Sequence, residues 1–147
     1  MRIHFWNLFL SLFFVLLVVV GFAYLGSVGR IFYDISIRDL LLMALAIFRL
    51  VRLFSYDIIT KFVRDWFVGA PKDSFKDTLG TLINCPWCTG LWFSFLVVFF
   101  YFATIYSWPV ILILSLAALG SIFQVIGNWI GWSAEAKKLE VQKMRGE

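Results

Sequence analysis

Cys85 and Cys88 stand in the run Cys85-Pro86-Trp87-Cys88-Thr89-Gly90-Leu91-Trp92, directly ahead of an apolar stretch long enough to cross a bilayer. Pro86 suits the first position of a helix, where its missing N–H costs nothing. Cys85 is then the N-cap, and the free amides of Trp87 and Cys88 point toward its sulfur. The positive end of the helix dipole favours thiolate there. Two thiols at this spacing can also close a reversible disulfide. Three uses are open: thiol redox, metal binding, or packing of two small, soft residues against Trp87 and Trp92. Metal binding would need ligands from a second protomer or from His4, because two cysteines fall short of a zinc site. No catalytic residue, metal site or cofactor is assigned on this reading.

Arg49 and Arg52 are the second feature. With Tyr56 they share a stripe that includes Leu42 and Leu45. A guanidinium facing lipid is costly, so both should turn inward or reach for the interface. Asp57 is one candidate partner, and an anionic ligand or lipid headgroup is another. Gln124 and Asn128, four residues apart, form a third feature, with Gly120, Gly127 and Gly131 on or beside their face. Small residues permit close helix approach, and buried amides bond across such contacts. Counted from the span ends, all these groups fall in the inner third of the bilayer. The expectation is one polar cluster shared by the last three spans.

The elements that must position them are membrane helices. Of the 147 residues, 62% are hydrophobic and 20% aromatic, with 15% charged. A soluble domain of this size could not bury that much apolar surface. Phe5 to Leu25 holds no charge and at about 1.5 Å per residue reaches roughly 30 Å, enough to span. It reads as an uncleaved anchor, since no small-residue cleavage pattern follows it. Leu40 to Phe54 forms a second span, Pro86 to Trp108 a third and Pro109 to Ile130 a fourth. Ile58 to Val68 places Ile58, Ile59, Phe62, Val63, Trp66 and Phe67 on one face and Lys61, Arg64 and Asp65 on the other, the pattern of a helix lying in the membrane surface. Gly69 to Asn84 reads as a polar loop. The expected class is all-α and polytopic: about four spans plus one interfacial helix. Residues 1–38 read as anchor and link, 39–132 as membrane core, and 133–147 as a charged cytoplasmic tail.

The net charge of +4 does not point to nucleic acid, because the basic residues flank apolar spans. The Ser107-Trp108-Pro109 hairpin is uncharged and suits the outer face. Four spans then place both termini and residues 55–84 inside, with Arg2, Lys61, Arg64, Lys72, Lys76, Lys137, Lys138, Lys143 and Arg145, against Arg30 and Arg38 outside. Trp6, Trp66, Trp129 and Trp132 would lie at the inner boundary, Tyr24 and Trp108 at the outer.

Leu45-Ala46-Ile47-Phe48-Arg49-Leu50-Val51-Arg52-Leu53, then Asp57-Ile58, then the Cys85 to Trp92 run together resemble domain of unknown function family 1360 over about residues 39 to 130. The resemblance implies a small bacterial membrane protein of a kind linked to sporulation or found in phage genomes. It brings no established activity. The matching positions are Arg49, Arg52, Asp57, Cys85, Pro86, Trp87, Cys88, Gly90 and Trp92, and the anchor and basic tail are additional.

The chain shows no nucleophile–base pair, intramembrane carboxylate pair or phosphate loop. It therefore reads as a non-enzymatic interaction or accessory protein of the bacterial inner membrane. Its expected partners are the lipid bilayer and either a second copy or another membrane protein. The alternatives are a thiol redox or metal-binding protein using Cys85 and Cys88, and a phage-type effector that forms lesions or excludes superinfection.

Overall fold

The computed structural model describes residues 2–32 and 34–145, with side chains from residue 5 to 144 apart from position 33. His4, weighed above as a metal ligand, lies outside the described side chains. Six α-helices and one 3-10 turn make up the regular structure: α1 (Arg2–Ser27), α2 (Ile37–Ser55), the 3-10 turn (Ile58–Thr60), α3 (Lys61–Asp65), α4 (Phe75–Asn84), α5 (Pro86–Ala103) and α6 (Ser107–Arg145). Every regular element among the described residues is helical.

Three helices are long and apolar enough to cross a membrane, those within Phe5–Ser27, Pro86–Ala103 and Ser107–Met144. The remaining expected span, α2, has 19 residues but carries Arg38, Asp39, Arg49 and Arg52. Phe5, Leu8, Leu12, Leu16, Val19 and Val20 of α1 stand exposed in a row, as do Val110, Ile113, Leu116 and Phe123 of α6. Apolar surface on that scale is stable against acyl chains and not against water.

The core centres on α2, which packs against both α5 and α6. Met43 and Ala46 meet Val97 of α5 and Ile111 of α6. Ser115, with no exposed surface, spends its hydroxyl on the carbonyls of Leu42 and Ile111, each 2.6 Å away, and so joins α6 to α2. At the other helix contact, the Tyr101 hydroxyl donates to Asp39 Oδ2 at 2.9 Å. α1 stands at the edge and touches α5 and α4. A side chain at Gly21 would collide with the rings of Phe95 and Phe99, 3.0 and 3.2 Å from its Cβ, so the small residue sets the approach of α1 to α5.

Three elements depart from the sequence expectation. Residues 75–84 of the expected polar loop form α4, begun by the capping sequence Ser74-x-x-Asp77: Ser74 Oγ accepts the Asp77 N–H at 3.1 Å, and Asp77 Oδ2 accepts the Asp73 N–H at 3.2 Å. Its Gly80 lies against Phe67, whose Cβ would be only 2.9 Å from any Cβ added at the glycine, and this close approach packs α4 onto the end of the surface segment. The expected break at Gly131-Trp132, between the last span and the charged helical tail from Ser133, is absent, and one helix runs unbroken to Arg145. Helix-forming Ala, Glu, Lys and Leu carry it through the charged tail.

The surface segment is broken in two. Of the face read from sequence, Ile58, Ile59, Phe62 and Trp66 are strongly exposed, whereas Val63 and Phe67 are half-buried, Phe67 against Gly80 of α4. Arg64 is not on the opposite, solvated face. It turns back to donate to the carbonyls of Phe54 (2.8 Å) and Asp57 (2.9 Å) and to Thr60 Oγ1 (3.1 Å).

Candidate functional site

The turn between α4 and α5 places the cysteines, and it is pinned from both sides. The last carbonyls of a helix have no partner within it. At the end of α4, Leu82 O accepts the Cys85 N–H (3.1 Å) and the Thr89 hydroxyl (2.8 Å). Ile83 O accepts the Ser55 hydroxyl from α2 at 3.0 Å. Asn84 Nδ2 returns to Gly80 O at 2.9 Å. Thr89, inside the cysteine motif and buried, thus binds the new helix to the old one. Cys85 then adopts extended backbone (φ −98°, ψ 103°) as N-cap, with Pro86 opening α5.

Both thiols are free; Cys85 is half-buried and Cys88 exposed. The Cys88 thiol beside it, and the N–H groups of Cys88 and Trp87, hold the Cys85 thiol below the ordinary thiol value, while partial burial opposes them. Replacing Cys88 by Ala removes the largest of these influences, so the Cys85 pKa should rise and its thiolate fraction at neutral pH should fall. Alkylation of Cys85 by iodoacetamide, followed by peptide mass spectrometry, should slow by about threefold or more in Cys88→Ala. Cys88→Ser, which keeps a hydroxyl donor, should lose less.

The two sulfurs face a cleft of about 650 Å³ between α1, α4 and α5. Asn7, Ser11, Thr78 and Thr81 supply polar groups to its wall, and Leu10, Phe14, Val15, Leu82, Leu91 and Trp92 supply apolar ones. Trp92 is held edge-on by Phe14, with ring centroids 5.0 Å apart. A second hollow, of about 450 Å³, shares Thr81 and Cys85 with the first and adds Arg64, Asp77 and Asn84. Cys85 is therefore reachable from a largely apolar side and from a polar side.

The other motif residues divide by role. Gly90 faces Val51 of α2 at ordinary packing distance, and Trp92 packs on α1 as well as on the cleft. Trp87 does not pack against the cysteines. It is 89% exposed.

The expected single polar cluster is three separate pairs. Arg49 Nη1 meets Asp57 Oδ2 at 3.1 Å and the Ser121 hydroxyl of α6 at 3.2 Å. Arg52 joins neither, and its Nε is buried with no hydrogen-bond partner among the described residues. Gln124 donates to Asn128 at 3.1 Å on an exposed face of α6, where Gly120, Gly127 and Gly131 meet nothing. Cys85 and Cys88 lie instead on the cleft that α1 closes. Sequence reasoning missed Ser55 and the capping roles of Thr89 and Arg64; the signal for all three is the need of helix C-termini for donors. Among the described residues, no three of His, Cys, Asp or Glu gather as metal ligands would.

A helical protein with three helices apolar enough to span, and a dithiol at the start of one of them, is the class these features define. The chain belongs to the family described as Protein of unknown function (DUF1360), whose model matches residues 42–127. It is also similar to the UPF0713 protein YngL of Bacillus subtilis (strain 168), 28% identical over 102 residues, covering 61% of this chain and 78% of that protein. No solved structure matches.

Proposed function

We propose that this protein crosses a bacterial cytoplasmic membrane four times, with both termini and the segment from Tyr56 to Cys85 on the cytoplasmic side, and that it acts there by thiol–disulfide exchange. In this reading α2 is the fourth span, its Arg49 neutralised by Asp57. The observation that carries the activity is the placement of Cys85 at the N-terminus of α5 beside Cys88, on a pinned turn and on an open cleft. Cys85 is the attacking thiolate, and Cys88 closes the disulfide that releases the partner.

Labelling with a membrane-impermeant maleimide tests topology and redox state together. Cys85 and Cys88 should react only after cells are permeabilised, and more completely after reduction. Labelling of intact cells would overturn the orientation; unchanged labelling after diamide oxidation would overturn the dithiol reading.

A second reading, a non-enzymatic accessory protein that pairs with another membrane helix, is favoured by the face of α6. Gln124 and Asn128 satisfy only each other there, beside three open glycines. Replacing both cysteines by serine separates the readings, because an accessory protein keeps its cellular phenotype without them.

A further inference from the structure

We infer that the cleft between α1, α4 and α5 binds an isoprenoid quinone drawn from the bilayer, as the electron acceptor of the Cys85–Cys88 dithiol. The inference rests on the dithiol reading and adds its substrate. Three features select the ligand. The cleft volume of about 650 Å³ lies within the roughly 300–1,000 Å³ of small-ligand sites. One wall is α1, whose outer face is a row of exposed apolar side chains, so the cleft is bordered by lipid rather than water. No charged side chain is among its described lining residues, which disfavours a phosphate or other ionic headgroup.

A ligand suited to it has an apolar tail for Leu10, Phe14 and Val15 and a small uncharged head. That head must accept a hydrogen bond from a group such as the Asn7 amide, since the Ser11 hydroxyl is already spent on Asn7 O at 2.9 Å. Phe14 and Trp92, set edge-on to each other with centroids 5.0 Å apart, offer a ring an aromatic corner to lie against. A dithiol in contact with such a head has a redox use for it only if the head takes two electrons, and a quinone does.

The chemistry balances. The Cys85 thiolate adds to a ring carbon; a C–S bond forms, and an electron pair moves to one quinone oxygen, which takes a proton from water. Cys88 then gives up its proton and attacks the Cys85 sulfur. The S–S bond forms as the C–S bond breaks, and the released pair moves to the second oxygen, which takes the proton Cys88 lost. One thiolate, one thiol, one quinone and one proton become one disulfide and one hydroquinone. A cytoplasmic thiol returns the disulfide to the dithiol.

The test uses the full-length, pre-reduced protein in phosphatidylcholine nanodiscs without oxygen, mixed with decylubiquinone, whose fully substituted ring resists simple arylation of thiols. One quinone should be reduced per chain, read by its ultraviolet absorbance, with both thiols lost as a Cys85–Cys88 disulfide found by mass spectrometry. Ser11→Trp and Val15→Trp each put an indole into the cleft and should slow the reaction by about tenfold or more. Diamide, a small thiol oxidant that needs no cleft, reports whether the thiols of each variant remain competent.

Quinone left oxidised while diamide still joins the two sulfurs would overturn the quinone assignment and leave the dithiol reading standing. Failure of diamide as well would overturn both. Undiminished rates in both tryptophan variants would show that the quinone reacts elsewhere.

Discussion

Arg64→Met should destabilise the protein by roughly 2–4 kcal/mol, measured by denaturant titration in mixed micelles, because three hydrogen bonds from one cation disappear together. Their geometry shows why the loss is concentrated. α2 ends at Ser55, and its final carbonyls need donors from outside the helix. Arg52 O accepts the N–H groups of Tyr56 and Asp57, Leu53 O accepts the Thr60 hydroxyl, and Phe54 O accepts Arg64. Arg64 also holds Asp57 O and Thr60 Oγ1, so it fastens the residues that supply the other donors. A positive charge at a helix C-terminus is favourable in itself.

Arg64→Lys should recover part of the loss, since an ammonium can serve one or two of these acceptors but lacks the planar fork. Because Arg64 also lines the polar hollow beside Cys85, the methionine variant should loosen the α4–α5 turn and expose Cys85 to faster alkylation. A loss under about 0.5 kcal/mol, the usual range of surface substitutions, would show that water serves these carbonyls equally well.

The long apolar helices were legible where hydropathy decides. α1, α5 and the first part of α6 follow from uncharged runs of spanning length, and Pro86 marks the start of α5. α4 was not, because its ten residues are short and half polar, and Gly80 reads as a loop signal. Only the Ser74-x-x-Asp77 capping sequence betrays it.

The candidate site was legible in its parts and not in its assembly. A helical period tells which residues share a face, not which neighbour that face meets. On α5, Gly90, Phe93 and Val97 turn to α2. Cys88 and Trp92 turn to the cleft, and Phe95 and Phe99 lie along α1. Depth along the membrane normal was the only coordinate available to sequence, and residues at one depth divide among different faces. The cleft also depends on Asn7, Leu10, Ser11 and Phe14 of α1, which precede the residues matched by the family model. The anchor that looked additional is one of its walls.

Asp57→Ala should cost roughly 2–4 kcal/mol in the same titration, the expense of leaving Arg49 without its carboxylate in a partly buried place. The Arg49–Asp57 side chains are 23% and 27% exposed, sheltered enough that solvent replaces the lost partner poorly. Ser121 would remain as the neutral partner of Arg49, at 3.2 Å. Removing both charges, with Arg49→Leu and Asp57→Leu, should cost less than removing Asp57 alone, since a leucine pair leaves no unmatched ion. Asp57→Asn, which keeps an acceptor but no charge, should fall between.

The cycle formed by Arg49→Leu alone, Asp57→Leu alone and the double variant isolates the coupling. A double variant as damaged as the sum of its singles would mean the two groups act independently. The ion pair would then not be what lets α2 keep an arginine beside α6. A large coupling would place the ion pair and the Arg64 cap in one unit, because Asp57 binds Arg49 through its side chain and Arg64 through its carbonyl. In that case Arg64→Met should weaken the Arg49–Asp57 coupling by loosening the backbone from which the carboxylate is presented.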